Sequence, residues 1–72
     1  MLSSRFVEAI ESYDKAIQQY PWMADAYFNR ALVLIYLKDK EKGCIDLSRA
    51  GELGVEAAYP AIARYCKEEE QL

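Results

Sequence analysis

Apolar residues recur every three or four positions along much of this chain, and one stretch is apolar almost throughout. The first such run forms a single stripe consisting of Phe6, Ala9, Ile10, Tyr13, Ala16, Ile17 and Tyr20. This spacing is typical of an amphipathic helix, with one face buried and the other in water. Pro21 disfavours helical backbone at the residue before it. The pattern therefore predicts a helix over about 4–19.

The second stretch, residues 26–37, is apolar except at Asn29 and Arg30. It is shorter than the roughly 20 apolar residues that a bilayer-spanning helix needs. A helix that is apolar on every side must be covered on every side. Asp25 suits the positive end of a helix dipole. We therefore predict a helix over 24–37 and expect the other segments to bury it.

Two further helices follow. Asp39 is a plausible N-cap for a helix over 40–52, and Gly54 is suited to a left-handed C-cap. The apolar face of this helix is mostly small, which lets another backbone approach closely: Gly43, Cys44, Leu47, Ala50 and Gly51. Pro60 is tolerated only in a first turn, which predicts a fourth helix over 57–69. Its predicted inner stripe is Ala58, Tyr59, Ile62, Ala63 and Cys66.

Four helices without a strand signal predict an all-α chain, organised as one domain over residues 1–72. A chain of this size buries only about 60% of its unfolded surface, so further stabilisation is expected. The sequence contains no histidine, and its two cysteines cannot complete a zinc site. We expect Cys44 and Cys66 to pack as free thiols. A Cys44–Cys66 disulfide is the alternative in an oxidising compartment.

The charge of the chain favours some partners over others. The net charge of −3 argues against nucleic acid, which attracts basic surfaces. Lysines and acidic residues alternate over 38–42, which predicts a solvated turn. No apolar segment follows the N-terminal residues, so we predict no secretory signal and a cytoplasmic location. We expect no membrane association.

The sequence offers little material for catalysis. It has no histidine, no serine in a nucleophile elbow and no glycine-rich phosphate loop. We therefore predict that the protein is not an enzyme and has no cofactor and no metal. Asp46 is expected to be a surface acid near Arg49, three residues on. Trp22 is expected to pack beside Pro21 at the junction between helices.

The chain repeats itself. A shift of 34 residues places the first helix on the third: Ala9 on Gly43, Ile10 on Cys44, Tyr13 on Leu47, Lys15 on Arg49 and Ala16 on Ala50. A slightly shorter shift places the second helix on the fourth: Ala26 and Tyr27 on Ala58 and Tyr59, Ala31 on Ala63 and Leu34 on Cys66. Such a period indicates a helical repeat protein.

Paired helices at this period resemble the tetratricopeptide repeat (TPR) family. The matching positions in the second-helix pattern are Ala9, Tyr13, Ala16 and Pro21, and later Gly43, Leu47 and Ala50. Those in the first-helix pattern are Tyr27, Ala31 and Leu34, with Arg30 in place of the usual leucine. The resemblance implies antiparallel helix hairpins in a short right-handed superhelix. It also implies about one full repeat, over 24–54, between two half repeats.

TPR arrays bind proteins on the concave face formed by their first helices. Carried over by the resemblance, that face is Asp25, Phe28, Asn29, Leu32, Ile35 and Tyr36. Exposed together, its apolar members would form a patch of several hundred Å², which is typical of an interaction site. We expect a protein-interaction module that covers this patch with a second copy of itself. The alternative is a peptide-binding adaptor, as a fragment of a longer TPR protein that lacks its N-terminal repeats.

Overall fold

The described part of the chain forms four helices joined by short turns. The computed structural model describes residues 2–66, and in this range it has no strand. The helices are α1 (Leu2–Gln19), α2 (Ala24–Tyr36), α3 (Lys40–Glu52) and α4 (Ala58–Tyr65). The predicted all-α class is therefore confirmed.

The helix boundaries lie close to the predicted ones. The third helix has the predicted bounds, and α1 begins two residues earlier than expected. The second helix ends at Tyr36, one residue early. The fourth helix begins at Ala58 and ends at Tyr65, where Cys66 leaves helical backbone with φ −115°. The remainder of its predicted length, 67–69, lies outside the described residues.

The turns after α2 and α3 have the same hydrogen-bonding pattern. After α2, the Asp39 N–H donates to the carbonyl of Leu34 and the Lys38 N–H donates to that of Ile35. After α3, Val55 and Gly54 make the equivalent bonds. Both are Schellman motifs, which need one residue with positive φ. Gly54 fills that position with φ 114°, as predicted, whereas Lys38 fills the other with φ 72°.

The core lies mainly between α2, α3 and α4 and is built largely from small side chains. Its buried residues are Tyr27, Ala31, Leu47, Ala50 and Ala58, with Ile17 of α1 packed against them. The small residues of α3 allow close approach, as the sequence predicts. A Cβ atom on Gly43 would lie 2.6 Å from the Ile35 side chain, and one on Gly51 would lie 2.9 Å from the Tyr59 ring.

Cys44 and Cys66 form a disulfide, so the expectation of two free thiols is wrong. The bond joins Cys44, in the first half of α3, to Cys66, the residue directly after α4. The close packing of these two helices brings the Cα atoms to 6.0 Å, within the range that a disulfide spans. The sequence could not show this, because the distance depends on how α4 packs on α3.

Each helix packs mainly against its neighbours in the sequence, α1 on α2, α2 on α3 and α3 on α4. The Cα trace is consequently thin, measuring 37 × 32 × 15 Å. Among the described helices α4 packs closely only on α3. Two residues of its predicted inner stripe, Tyr59 and Ala63, are exposed while Ala61 packs inward. None of the described helices combines the length and the apolar character needed to span a membrane.

Candidate protein-interaction site

The six residues predicted to form an interaction face lie along one side of α2. We call this surface the α2 stripe: Asp25, Phe28, Asn29, Leu32, Ile35 and Tyr36. Their spacing of three and four residues places them on a single helix face. Four are exposed, whereas Phe28 and Ile35 are half-buried and pack against the core. The exposed part of the α2 stripe therefore runs through Asp25, Asn29, Leu32 and Tyr36.

Two large apolar side chains of the α2 stripe face solvent. Leu32 is 37% exposed and Tyr36 is 63% exposed. The Tyr36 ring stacks at 42° on Phe6 of α1, with 4.8 Å between the ring centroids. This contact fixes the ring orientation because tilted aromatic pairs at such distances attract each other. The C-terminal half of the α2 stripe is thus an ordered apolar surface.

The opposite face of α2 carries the charge that interrupts its apolar sequence. Arg30 donates from Nε to Asp46 Oδ2 at 2.7 Å and from Nη2 to Asp46 Oδ1 at 2.9 Å. Its Nη1 donates to Asp14 Oδ1 at 2.6 Å. The guanidinium of α2 therefore joins a carboxylate of α1 to one of α3. Bidentate pairing of this kind is among the stronger polar contacts in proteins.

Pairing with the two carboxylates stabilises the charged form of Arg30. The two hydrogen bonds to Asp46 are the main cause of a pKa for Arg30 raised above its ordinary value, although burial opposes them. The guanidinium also lies 5.7 Å from the centre of the Tyr27 ring, within the range of a cation–π contact. Among the described residues no buried side-chain polar atom lacks a hydrogen-bond partner.

Asp46 is 6% exposed, so the prediction of a surface acid near Arg49 is wrong. Arg49 instead pairs with Glu52 at 3.4 Å. A sequence signal for the true partner did exist. Arg30 is the one charged residue between residues 26 and 37, and a buried charge needs a partner. Asp14 and Asp46 lie 16 residues before and after it, one on each of the two flanking helices.

A cleft of about 280 Å³ opens beside this ion pair. We call it the Arg30 cleft, and its lining comes from α1, α2 and α3: Ile10, Asp14, Arg30, Leu34, Lys42, Ile45 and Asp46. Ile45 at its rim is 64% exposed. Leu34 lies two positions from both Leu32 and Tyr36, which is about 200° around the helix. The Arg30 cleft and the α2 stripe are therefore on opposite faces of α2.

The turn between α1 and α2 is more open than predicted. Trp22 is 67% exposed, so the expected packing at a helix junction is wrong. Its ring meets Tyr20 edge-on at 5.7 Å, and Tyr20 itself is 42% exposed. The reason is that only α2 packs closely on α1, and no other described helix covers the end of α1.

Comparison with known proteins gives no relative for this chain: no family model, no curated protein sequence and no solved structure matches it.

Proposed function

We propose that this chain is a non-catalytic protein-interaction module of the TPR type that associates with a second copy of itself through the α2 stripe. The observation that carries the proposal is the exposure of Leu32 and Tyr36, at 37% and 63%. Both belong to α2, whose other sides pack on α1 and α3. Burying such side chains stabilises an interface by about 25 cal/mol for each Å² of apolar surface.

The α2 stripe is complementary to itself when two copies run antiparallel. With a two-fold axis between Asn29 and Leu32, each Asn29 faces the partner's Leu32. Asp25 then faces the partner's Tyr36, because Asp25 and Tyr36 lie at equal distances along α2 on either side of the same two-fold axis. The Tyr36 hydroxyl is a donor and the Asp25 carboxylate an acceptor. A two-fold interface of this kind uses the same residues on both copies, as most homodimers do.

The TPR assignment rests on the sequence repeat, and the packing of each described helix on its neighbours in sequence supports it. In this arrangement the chain contains one full repeat, over 24–54, flanked by two single helices. Too few repeats for an independent core favour cover by another chain. We propose no nucleic-acid partner, no cofactor and no enzymatic role.

The predicted cytoplasmic location needs its own test, since the Cys44–Cys66 disulfide argues against it. Disulfides are rare in the cytosol, where glutathione keeps thiols reduced. Thiol titration of protein isolated from its natural source, with thiols blocked at lysis, distinguishes the two cases. Two free thiols for each chain support the cytosol, and none supports an oxidising compartment.

The test of self-association is the mass in solution, measured by light scattering on a sizing column over a dilution series. We expect twice 8.3 kDa for the wild type. Leu32→Lys places a charge in the proposed interface and should give a monomer with unchanged helicity. Ile45→Lys is the matched control, because Ile45 is also an exposed aliphatic residue but lies on the other face.

Two results would contradict the proposal. A wild type that is a folded monomer at every concentration would exclude a stable dimer and leave the peptide-binding adaptor as the better function. Equal dissociation by Leu32→Lys and Ile45→Lys would show that the interface is not the α2 stripe.

A further inference from the structure

We propose that the Arg30 cleft is a second binding site, which takes a partner segment carrying a lysine or arginine beside aliphatic side chains. This site does not depend on self-association, because it lies on the opposite face of α2. The proposal rests on three features of the cleft: its size, its apolar walls and one accessible carboxylate.

The size of the Arg30 cleft suits side chains better than a metabolite. Its volume of about 280 Å³ corresponds to roughly nine water molecules. Small-molecule sites usually begin at about 300 Å³ and enclose most of the ligand. This cleft is instead open between α1 and α3, with α2 as its floor. An open groove between helices is a common place for a peptide segment of a partner to bind.

The walls supply apolar contact from three helices. Ile10 of α1 and Leu34 of α2 are half-buried, so each still presents part of its side chain to the cleft. Ile45 of α3 is 64% exposed, the largest exposed fraction of any leucine, isoleucine or valine between residues 5 and 66. These side chains favour an aliphatic group in the occupant, since its binding removes apolar surface from water.

Charge determines what accompanies that aliphatic group. Asp46 uses both carboxylate oxygens on Arg30, whereas Asp14 uses only Oδ1. The Asp14 side chain is 47% exposed, against 8% for that of Asp46. Asp14, Arg30 and Asp46 together carry one net negative charge, which Lys42, also in the lining, balances. The Lys42 side chain is 75% exposed and lies 4.0 Å from the Asp39 carboxylate, its partner. Asp14 Oδ2 is the charged acceptor of the cleft that is left without a hydrogen bond among the described residues, and it favours a cationic donor.

The test uses a short alanine-based helical peptide that carries one arginine with a leucine one turn before it and one turn after it. Methyl resonances of the protein are followed during titration. We expect those of Ile10, Leu34 and Ile45 to shift, while the buried Leu47 does not. Replacing the peptide arginine by glutamine should weaken binding about three- to tenfold, as expected for a partly exposed charged pair.

Variants of the protein show which of its residues contacts the arginine of the peptide. Asp14→Asn should weaken the binding of the arginine peptide by a similar factor. The variant should then bind the arginine peptide and the glutamine peptide equally well. Glu11→Gln is the matched control, since Glu11 is an exposed acid on the same helix outside the cleft. Ile45→Lys should abolish binding without unfolding the chain, because the side chain is largely in solvent. Leu32→Lys should have no effect, which separates this site from the α2 stripe.

Three outcomes would overturn the proposal. The first is the absence of any saturable shift in the cleft methyl groups. The second is a shift centred on Leu32 rather than on Ile10, Leu34 and Ile45. The third is an Asp14→Asn variant, shown by circular dichroism to be folded, that still prefers the arginine peptide.

Discussion

Removal of the Arg30 guanidinium is expected to destabilise the protein more than removal of either carboxylate that binds it. Arg30→Met keeps most of the aliphatic length of the side chain and deletes the charge. Asp46 would then be a carboxylate with an 8% exposed side chain and without a cation. Leaving one member of a buried ion pair unpaired costs about 3–5 kcal/mol.

The two carboxylates should matter less, and to different degrees. In Asp46→Asn the guanidinium keeps its 2.6 Å bond to Asp14, so we expect a loss of about 2 kcal/mol. Asp14→Asn changes a half-exposed group and should cost about 0.5–1 kcal/mol. An arginine stays charged at every working pH, and the raised pKa of Arg30 acts in the same direction. The expected order of destabilisation is therefore Arg30→Met, then Asp46→Asn, then Asp14→Asn.

These losses are large compared with the total free energy of unfolding of a chain of this size. A chain of 72 residues is expected to have a free energy of unfolding of roughly 4–11 kcal/mol. Urea unfolding followed by far-UV circular dichroism measures each difference. The variants should be made in the Leu32→Lys background, so that self-association does not contribute to the measured stability.

The double variant Arg30→Met/Asp46→Leu provides the sharper control. Replacing a buried ion pair by apolar side chains of similar volume is often neutral or stabilising, so it should recover most of the loss caused by Arg30→Met. If Asp46→Asn costs more than Arg30→Met, or if the double variant is as unstable as Arg30→Met, our account of this ion pair is wrong.

Three further changes test the packing of α3 and the turns beside it. Reduction of the Cys44–Cys66 disulfide, or its replacement by two serines, should cost about 3 kcal/mol, since the bond closes a loop of 22 residues; an unchanged thermal midpoint with reductant would contradict this. Lys38→Gly should stabilise the protein by up to about 1 kcal/mol, because φ 72° strains a side chain; urea unfolding should show a higher midpoint, and a lower one would count against the strain. Gly43→Ala should cost about 1–3 kcal/mol, because its Cβ would lie 2.6 Å from α2. The exposed Ser48→Ala on the same helix is its control in the same urea assay, and equal stability of the two variants would refute the close approach.

Local chemistry made most of the helices predictable. The side chain of Asp39 accepts from the Lys42 N–H at 3.5 Å as the N-cap of α3, and Gly54 has positive φ. Pro60 lies in the first turn of α4. Each of these features depends on a few residues close together in the sequence. The succession of helices could therefore be predicted without knowing how they pack.

Tertiary contacts were the part that the sequence could not supply. The three-residue spacing of Asp46 and Arg49 suggested a pair on the surface of α3. The sequence is equally compatible with Asp46 facing α2, and the packing of α3 on α2 decides that it pairs with Arg30. Trp22 illustrates the reverse case. Its apolar ring predicts burial, but none of the described helices covers α1 on that side. For the α2 stripe, periodicity defined which residues share a face, while the structure shows that Leu32 and Tyr36 are its most exposed apolar members.

The packing of each helix on its sequence neighbours has a consequence for how the chain folds. Most contacts join residues that are close in the sequence, so little chain entropy is lost before native contacts form. Proteins with such local contacts fold in microseconds to milliseconds. Their stability is also transmitted from neighbour to neighbour, so unfolding begins at the ends. Among the described helices, α4 is tied to α3 through Cys44 and Cys66, whereas no disulfide holds α1. We therefore expect amide hydrogens of α1 to exchange first and those between α2 and α3 to exchange last.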